Sequence, residues 1–116
     1  MANKLFGTDG VRGVAGFYPM TADFAFNLAE ILSQTVCTDK KKIAIGKDTR
    51  ISGDMIEAAL SAGFTANGID VILLGIVPTP LVTLKTPELG VDMSLMITAS
   101  HNPYQDNGIK LIDQSG

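Results

Sequence analysis

Cysteine and histidine are the scarcest reactive residues of this chain, and their scarcity excludes several kinds of chemistry. The 116 residues include one cysteine, Cys37, and one histidine, His101. A single cysteine cannot form an intramolecular disulfide, and without a cluster of cysteines and histidines there is no zinc site of ordinary spacing. We therefore expect Cys37 to be an inert thiol of the core.

Long apolar runs and an excess of basic charge are missing as well. The longest apolar run, near Val71–Val77, is far too short to cross a bilayer, and the N-terminus lacks the apolar stretch of a secretion signal. The net charge of -3 argues against a nucleic-acid or anionic-membrane surface. We therefore expect a cytoplasmic protein with no nucleic-acid partner and no membrane partner.

The chain does contain enough apolar sequence for one core. Hydrophobic residues make up 46% and charged residues 18%, which excludes disorder, and 116 residues correspond to one domain. Strand-type and helix-type patterns alternate, and a final apolar run, Ile109–Ile112, follows a turn. This order predicts an α/β fold: a three-layer α/β/α domain over residues 1–116, whose mainly parallel, mixed sheet has one antiparallel edge strand formed by that run.

Two helices are predicted with defined first residues. Thr21 and Ser52 are the expected N-caps. The first helix is expected to bury one face, formed by Phe24, Leu28, Ile31 and Thr35. The second has an apolar stripe formed by Met55, Ile56, Ala59, Leu60, Gly63 and Phe64. No helix follows the last strand-type run, so we expect a continuation of the chain or a partner to cover its apolar surface.

A serine stands among turn-forming residues directly after a buried strand. The strand pattern is Val91–Ile97, and Thr98-Ala99-Ser100-His101-Asn102-Pro103 then turns the chain. Ser100 therefore lies at the carboxyl end of a strand, where open α/β sheets bind ligands. Acyl transfer is the poorer interpretation, because the only histidine adjoins the serine and no Gly-x-Ser-x-Gly elbow is present.

Phosphoryl transfer fits the same serine better. A serine oxygen can carry a phosphate, whose charge Lys110 or Arg12 can neutralise together with turn amides. The alternative is a plain turn without chemistry, in which His101 donates to a backbone carbonyl and Lys110 is a solvated edge-strand lysine. The stretch by itself leaves both interpretations open.

Two further segments are candidates for binding anions. Gly7-Thr8-Asp9-Gly10-Val11-Arg12-Gly13 predicts either a phosphate-binding loop or a tight hairpin, and its spacing is not the dinucleotide fingerprint. Gly46-Lys47-Asp48-Thr49-Arg50-Ile51-Ser52-Gly53 lies between a strand and a helix and lacks two residues of a P-loop. It predicts either an anion site at the helix N-terminus, with Lys47 and Arg50 nearby, or a surface Asp48–Arg50 pair.

Taken together, the three segments resemble the motifs of the α-D-phosphohexomutase superfamily. The matching stretches are Phe6–Gly13, Gly46–Gly53 and Ala99–Lys110, in that order. Phosphomannomutase and phosphoglucomutase relatives have a similar serine loop too, but the opening Gly-Thr-Asp-Gly-Val-Arg-Gly and the Ala-Ser-His-Asn-Pro form look like the glucosamine branch. By this resemblance, residues 1–116 would be most of the first of four domains, the catalytic phosphoserine domain. The aspartate metal loop, the sugar-selecting loop and the last phosphate-binding domain lie outside these 116 residues.

The resemblance implies an isomerase that interconverts glucosamine 6-phosphate and glucosamine 1-phosphate through a phosphoserine and a bisphosphate. Ser100 would carry the phosphate and offer one ligand to Mg²⁺. His101, Lys110 and Arg12 would assist proton transfer and charge neutralisation. The residues expected to bind substrate or phosphate are Thr8, Gly10, Asn102, Lys47 and Arg50.

The resemblance also sets expectations for assembly and for the isolated chain. Family members pair through the first domain, so a homodimer is expected, and the 116 residues alone are expected to be inactive. A phosphomannomutase or phosphoglucomutase, a stand-alone anion-binding module and a dimerising scaffold remain alternatives.

Overall fold

The protein folds around a mixed sheet of five strands, which the computed structural model describes over residues 10–116. The strands are β1 (Val11–Val14), β2 (Lys42–Lys47), β3 (Asp70–Ile76), β4 (Met93–Ile97) and β5 (Asp106–Asp113). Their order in the sheet is β1-β5-β4-β2-β3. Strand β2 pairs parallel with β3 and β4, whereas β5 pairs antiparallel with β4 and β1.

Helices cover both faces of this sheet. They are α1 (Ala22–Thr35), α2 (Gly53–Ala66) and α3 (Thr79–Lys85), and a short 3-10 turn, Thr86–Glu88, follows α3. Adjacent residues of β4 show the two sides: Leu95 belongs to the core shared with α1 and α2, whereas Met96 packs against Val82 of α3. Because successive strand residues face opposite sides, this confirms the predicted α/β/α layers.

The position of the antiparallel strand corrects one detail of the prediction. The last apolar run is antiparallel, as expected, but β5 lies inside the sheet because β1 pairs with its outer side from Val11↔Ile109 to Val14↔Asp106. The opening segment, interpreted as a loop or a hairpin, contributes this edge strand. Four residues that include a glycine and an arginine give too short an alternation to indicate a strand.

The first helix begins as predicted, and of the predicted face Leu28 is buried and Phe24 packs against the core, whereas Ile31 and Thr35 are exposed. Thr21 caps it, since its hydroxyl accepts a hydrogen bond from Phe24 N at 3.4 Å. The prediction for Ile31 was wrong, because the residue is 59% exposed. The residues that α1 buries are Ala25, Leu28, Ala29, Leu32 and Ser33. Small residues face α2 here because the helices approach closely: a Cβ on Gly63 would lie 2.6 Å from the Cβ of Ala29.

The stripe predicted for α2 is confirmed. Ile56, Leu60, Gly63 and Phe64 are buried, and Met55 and Ala59 pack half-buried against the same core.

The single cysteine is a buried, free thiol, as expected. Burial, and secondarily the Asp92 carboxylate, raises the pKa of Cys37 to about 11, which keeps the thiol protonated at neutral pH. Within residues 10–116, no helix is long and apolar enough to cross a membrane.

Candidate active site

The serine loop joins β4 to β5 at the carboxyl end of β4, as the sequence predicted. Ala99 is fully buried, whereas the next residue, Ser100, is exposed. Ser100 has a φ of 54°, in the left-handed region. This conformation costs an L-residue about 1–2 kcal/mol, so neighbouring groups must hold it in place.

One chain of hydrogen bonds fixes the amide side of Ser100. Its backbone N–H donates to Thr98 Oγ1 at 3.0 Å, and the Thr98 hydroxyl donates to Asp48 Oδ2 at 2.7 Å. The same carboxylate accepts from the backbone N–H of Arg50 at Oδ1, 3.1 Å, and from Arg50 Nε at Oδ2, 3.0 Å. The loop after β2 is thereby bonded directly to the serine loop.

Arg50 binds the serine loop through backbone carbonyls. Its side chain is only 10% exposed, so the Asp48–Arg50 pair is not the surface pair that one interpretation of the sequence gave. The acceptors of the guanidinium are the carbonyl oxygens of Ser100 at 2.8 Å, Pro103 at 2.7 Å, Asn102 at 3.1 Å and Asp106 at 3.2 Å. A single side chain thus donates hydrogen bonds to four backbone carbonyls of the turn.

Arg12, in the edge strand β1, also bonds the serine loop. Its Nη1 donates to the carbonyl of Ala99 and to Asn102 Oδ1, each at 3.2 Å. Asn102 in turn donates from Nδ2 to Asp106 Oδ2 at 3.1 Å. Arg12 lies opposite Gly108, where a Cβ would lie 2.8 Å from the Arg12 Cγ. The stem of Arg12 can therefore cross β5 only because a glycine stands there.

Lys110 lies on the same face of the sheet as Arg12. It is two residues beyond Gly108 on β5, and side chains two apart in a strand share a face. It is half-buried and pairs across the strands with Met96, on the side covered by α3. The ion pairs within residues 10–116 involve other cations: Lys47, Arg50 and Lys85.

An open groove of about 710 Å³ adjoins the exposed serine. Its walls are the end of β1 with the following residue, the loop between β2 and α2 with Arg50, and the serine loop with Ser100 and Asn102. Two of the three segments singled out in the sequence, Gly46–Gly53 and Ala99–Lys110, therefore converge on one groove at the carboxyl edge of the parallel strands, and Val14 and Ala15, which directly follow the third segment, line it as well.

Lys47 does not join this convergence. Its Nζ contacts Asp54 Oδ1 at 2.6 Å and Glu57 Oε1 at 3.0 Å, both on α2, and it does not line the groove. Hydrogen bonds to these two carboxylates, Asp54 first, raise the pKa of Lys47. Its ammonium is thus engaged in an ion-pair cluster on the side of α2.

The remaining expected site residues have different settings. His101 is exposed in the turn. Gly10 opens β1 with a φ of 76°, and a Cβ there would overlap the Ile109 carbonyl. The close approach of the β5 backbone therefore explains why residue 10 is a glycine. Thr8 lies outside the described residues.

Sequence reasoning missed the supporting role of Thr98, Asn107 and Ser52. Asn107 is fully buried, donates from Nδ2 to Ser52 Oγ at 2.8 Å and accepts from Gly108 N at 2.9 Å. Ser52 is the N-cap of α2, as predicted, but its side chain makes no capping hydrogen bond. The available signal was Asn107 itself, since a buried asparagine in a strand needs partners.

The described residues do not form a complete divalent-cation site. Among residues 10–116, no three His, Cys, Asp or Glu side chains group so as to hold a metal ion. The Asp48 carboxylate already accepts three hydrogen bonds. A hard cation such as Mg²⁺ needs near-octahedral oxygen coordination, of which Ser100 offers one ligand.

Fold and site together define a class of protein: an α/β/α domain that displays a serine loop at the carboxyl edge of its sheet. Residues 3–116 match the phosphoglucomutase/phosphomannomutase family at its alpha/beta/alpha domain I. The chain belongs to this family.

Similar curated proteins and similar solved structures come from the same family. This chain is 52% identical over 119 residues to a phosphoglucosamine mutase of Jannaschia sp. (strain CCS1), and 51% identical to one of Dinoroseobacter shibae. Each match covers 100% of this chain and 27% of the relative, so the chain spans about a quarter of their length. A phosphoglucomutase/phosphomannomutase family protein of Burkholderia thailandensis superposes with a TM-score of 0.81 at 30% identity, covering 97% of this chain and 26% of that one.

Proposed function

We propose that this chain is most of the first domain of a phosphoglucosamine mutase and that Ser100 carries the transferable phosphate. The observation that supports this most directly is the geometry of Ser100: an exposed serine in a left-handed conformation, bonded through both its N–H and its C=O. The names of the relatives support the amino-sugar substrate.

In the proposed reaction, phosphoserine transfers its phosphoryl group to a hydroxyl of glucosamine 6-phosphate. The Ser100 Oγ–P bond breaks and a sugar O–P bond forms, which gives a bisphosphate and the free serine. The reverse step at the other end of the sugar restores the phosphoserine and releases glucosamine 1-phosphate. Each step moves one proton between the sugar hydroxyl and Ser100, which we assign to His101 and Lys110.

Charge neutralisation in this proposal rests on cations beside the serine loop. Arg12 bonds the loop directly, and Lys110 shares its face of the sheet. A phosphoserine adds about 1.5–2 negative charges at neutral pH, which such cations stabilise. The resemblance implies five candidates for binding phosphate: Thr8, Gly10, Asn102, Lys47 and Arg50. Of these, Asn102 and Arg50 line the groove.

The cofactor and the setting of the protein complete the proposal. Mg²⁺ is the proposed cofactor, with the phosphate on Ser100 as one ligand and its other ligands outside the described residues. The proposed partners are a phosphorylated hexosamine and a second copy of the protein, in the cytoplasm. The net charge of -3 supports the absence of nucleic acid and membrane from this set.

Phosphopeptide mass analysis of the full-length protein tests the central assignment. Phosphate is expected on Ser100, and Ser100→Ala is expected to abolish turnover with little change in stability, because an exposed hydroxyl leaves no cavity. Phosphate on Ser52 or Ser94 instead, or substantial activity of the alanine variant, would show that the assignment is wrong.

A phosphomannomutase or phosphoglucomutase is the second candidate, favoured by the structural match to the Burkholderia thailandensis family protein. Comparing kcat/KM for glucosamine, mannose and glucose 6-phosphates separates the two candidates. The highest value for the glucosamine substrate is expected, and a higher value for either hexose would favour the second candidate.

A further inference from the structure

The Asp48–Arg50 ion pair is bonded to both sides of Ser100. On the amide side, the path runs from Ser100 N to Thr98 Oγ1 and on to Asp48 Oδ2. On the carbonyl side, Arg50 Nη2 donates directly to Ser100 O. The two peptide groups that flank the Ser100 Cα are therefore tied to one ion pair, and together they set its φ and ψ.

The donors of Arg50 suit this task better than they suit a bound phosphate. Nε is held by Asp48, Nη1 reaches the carbonyls of Asn102, Pro103 and Asp106, and Nη2 reaches that of Ser100. The side chain is 10% exposed. Lysine cannot reproduce this arrangement, because its ammonium is a compact point charge without the planar fork of a guanidinium.

We propose that Asp48 and Arg50 are positioning residues, which hold Ser100 in its left-handed conformation and so fix its Oγ for phosphoryl transfer. This role rests on the proposed function of Ser100, and Arg50 acts through the loop and not on the phosphate. Without the pair, Ser100 relaxes toward the negative φ that L-residues prefer. That rotation displaces Oγ, and a displacement of about 1 Å at a reacting atom costs about 100-fold in rate.

The conformation is tested first, by NMR on the 116-residue chain. A residue with positive φ gives a strong intraresidue NOE between its amide proton and its Hα. The parent chain is expected to show this signature at Ser100, and Arg50→Lys and Thr98→Val are expected to lose it. Thr98→Ser, which restores the hydroxyl, is expected to keep it. Lys85→Gln is the matched control, since the Lys85–Glu88 pair is exposed and does not line the groove.

Kinetics of the full-length protein test the consequence. Arg50→Lys and Thr98→Val are expected to lower kcat by about 100-fold and to change KM by less than about twofold. Thr98→Ser and Lys85→Gln are expected to stay near the parent. If Arg50→Lys raises KM and leaves kcat unchanged, Arg50 binds phosphate directly and the proposal is overturned.

The remaining outcomes are equally decisive. A positive-φ signature that persists in both Arg50→Lys and Thr98→Val overturns the proposal. If Arg50→Lys does not fold, Thr98→Val decides, because it exchanges one hydroxyl for a methyl of similar size. If the signature behaves as expected but Ser100→Ala retains full activity, the proposed function fails while the conformational role of the ion pair stands.

Discussion

Gly108 lies where β5 passes between β1 and β4, and its replacement by alanine tests the packing beneath the serine loop. A Cβ built there lies 2.7 Å from the carbonyl oxygens of Thr98 and Val11 and 2.8 Å from Cγ of Arg12. Ordinary non-bonded contacts lie at about 3.5 Å or more, so each neighbour must retreat by roughly 0.7 Å. Two of the three are backbone atoms, which cannot swing aside.

Gly108→Ala is therefore expected to lower the free energy of unfolding by about 2–3 kcal/mol, within the range of overpacked cores. For a chain of this length, the fall in Tm is about 8–12 °C. Gly13→Ala is the matched control, because Gly13 lies in β1 and a Cβ there would approach nothing closer than Pro19 Cδ at 3.4 Å. Thermal and urea denaturation measure both variants. Equal Tm values for the two would refute the steric argument.

Three further changes test other parts of the structure. Gly63→Ala is expected to lower the free energy of unfolding by about 1–2 kcal/mol in urea denaturation, because its Cβ would lie 2.6 Å from the Ala29 Cβ. Gly53→Ala in the same helix has no neighbour closer than 3.6 Å and is expected to be neutral or stabilising by up to about 1 kcal/mol. A greater loss of stability in Gly53→Ala than in Gly63→Ala would contradict the packing. Lys110→Met in the full-length protein is expected to lower kcat by about 100-fold with little change in Tm, and a melt that falls as far as the activity would make Lys110 structural. Cys37 is expected to react slowly with iodoacetamide at pH 8 in the folded chain and rapidly in urea, since its pKa is raised to about 11 and its side chain is buried; rapid labelling of the folded chain would contradict this.

The layered fold was predictable because its elements carry local signals. The run that ends at Ile97 and the periodic stripe through Ile56, Leu60 and Phe64 identify a buried strand and an amphipathic helix without knowledge of their neighbours. Turn residues then place Ser100 at the end of its strand. That was sufficient to locate the serine loop and to predict that its edge of the sheet is the functional one.

The parts that sequence reasoning missed depend on partners distant in the chain. β1 is a strand because β5 pairs with it, and nothing within Val11–Val14 shows that pairing. The buried face of α1 follows from its close approach to Gly63, which favours Ala25 and Ala29 over the larger Ile31. Arg50 likewise bonds carbonyls some fifty residues further along the chain, a relation that its own neighbourhood cannot reveal.

The conformation of the serine loop depends on these long-range contacts with several strands of the sheet. Arg12 reaches it from β1 and Asp48 reaches it from the end of β2, while Asn107 on β5 bonds Ser52 at the start of α2. A strained residue persists only where its surroundings determine it from several directions. The left-handed Ser100 therefore requires β1, β2, β4 and β5 to be in register. A change that frees β1 from β5 would remove Arg12 from the loop and Val11 from the core beneath α1 and α2 together.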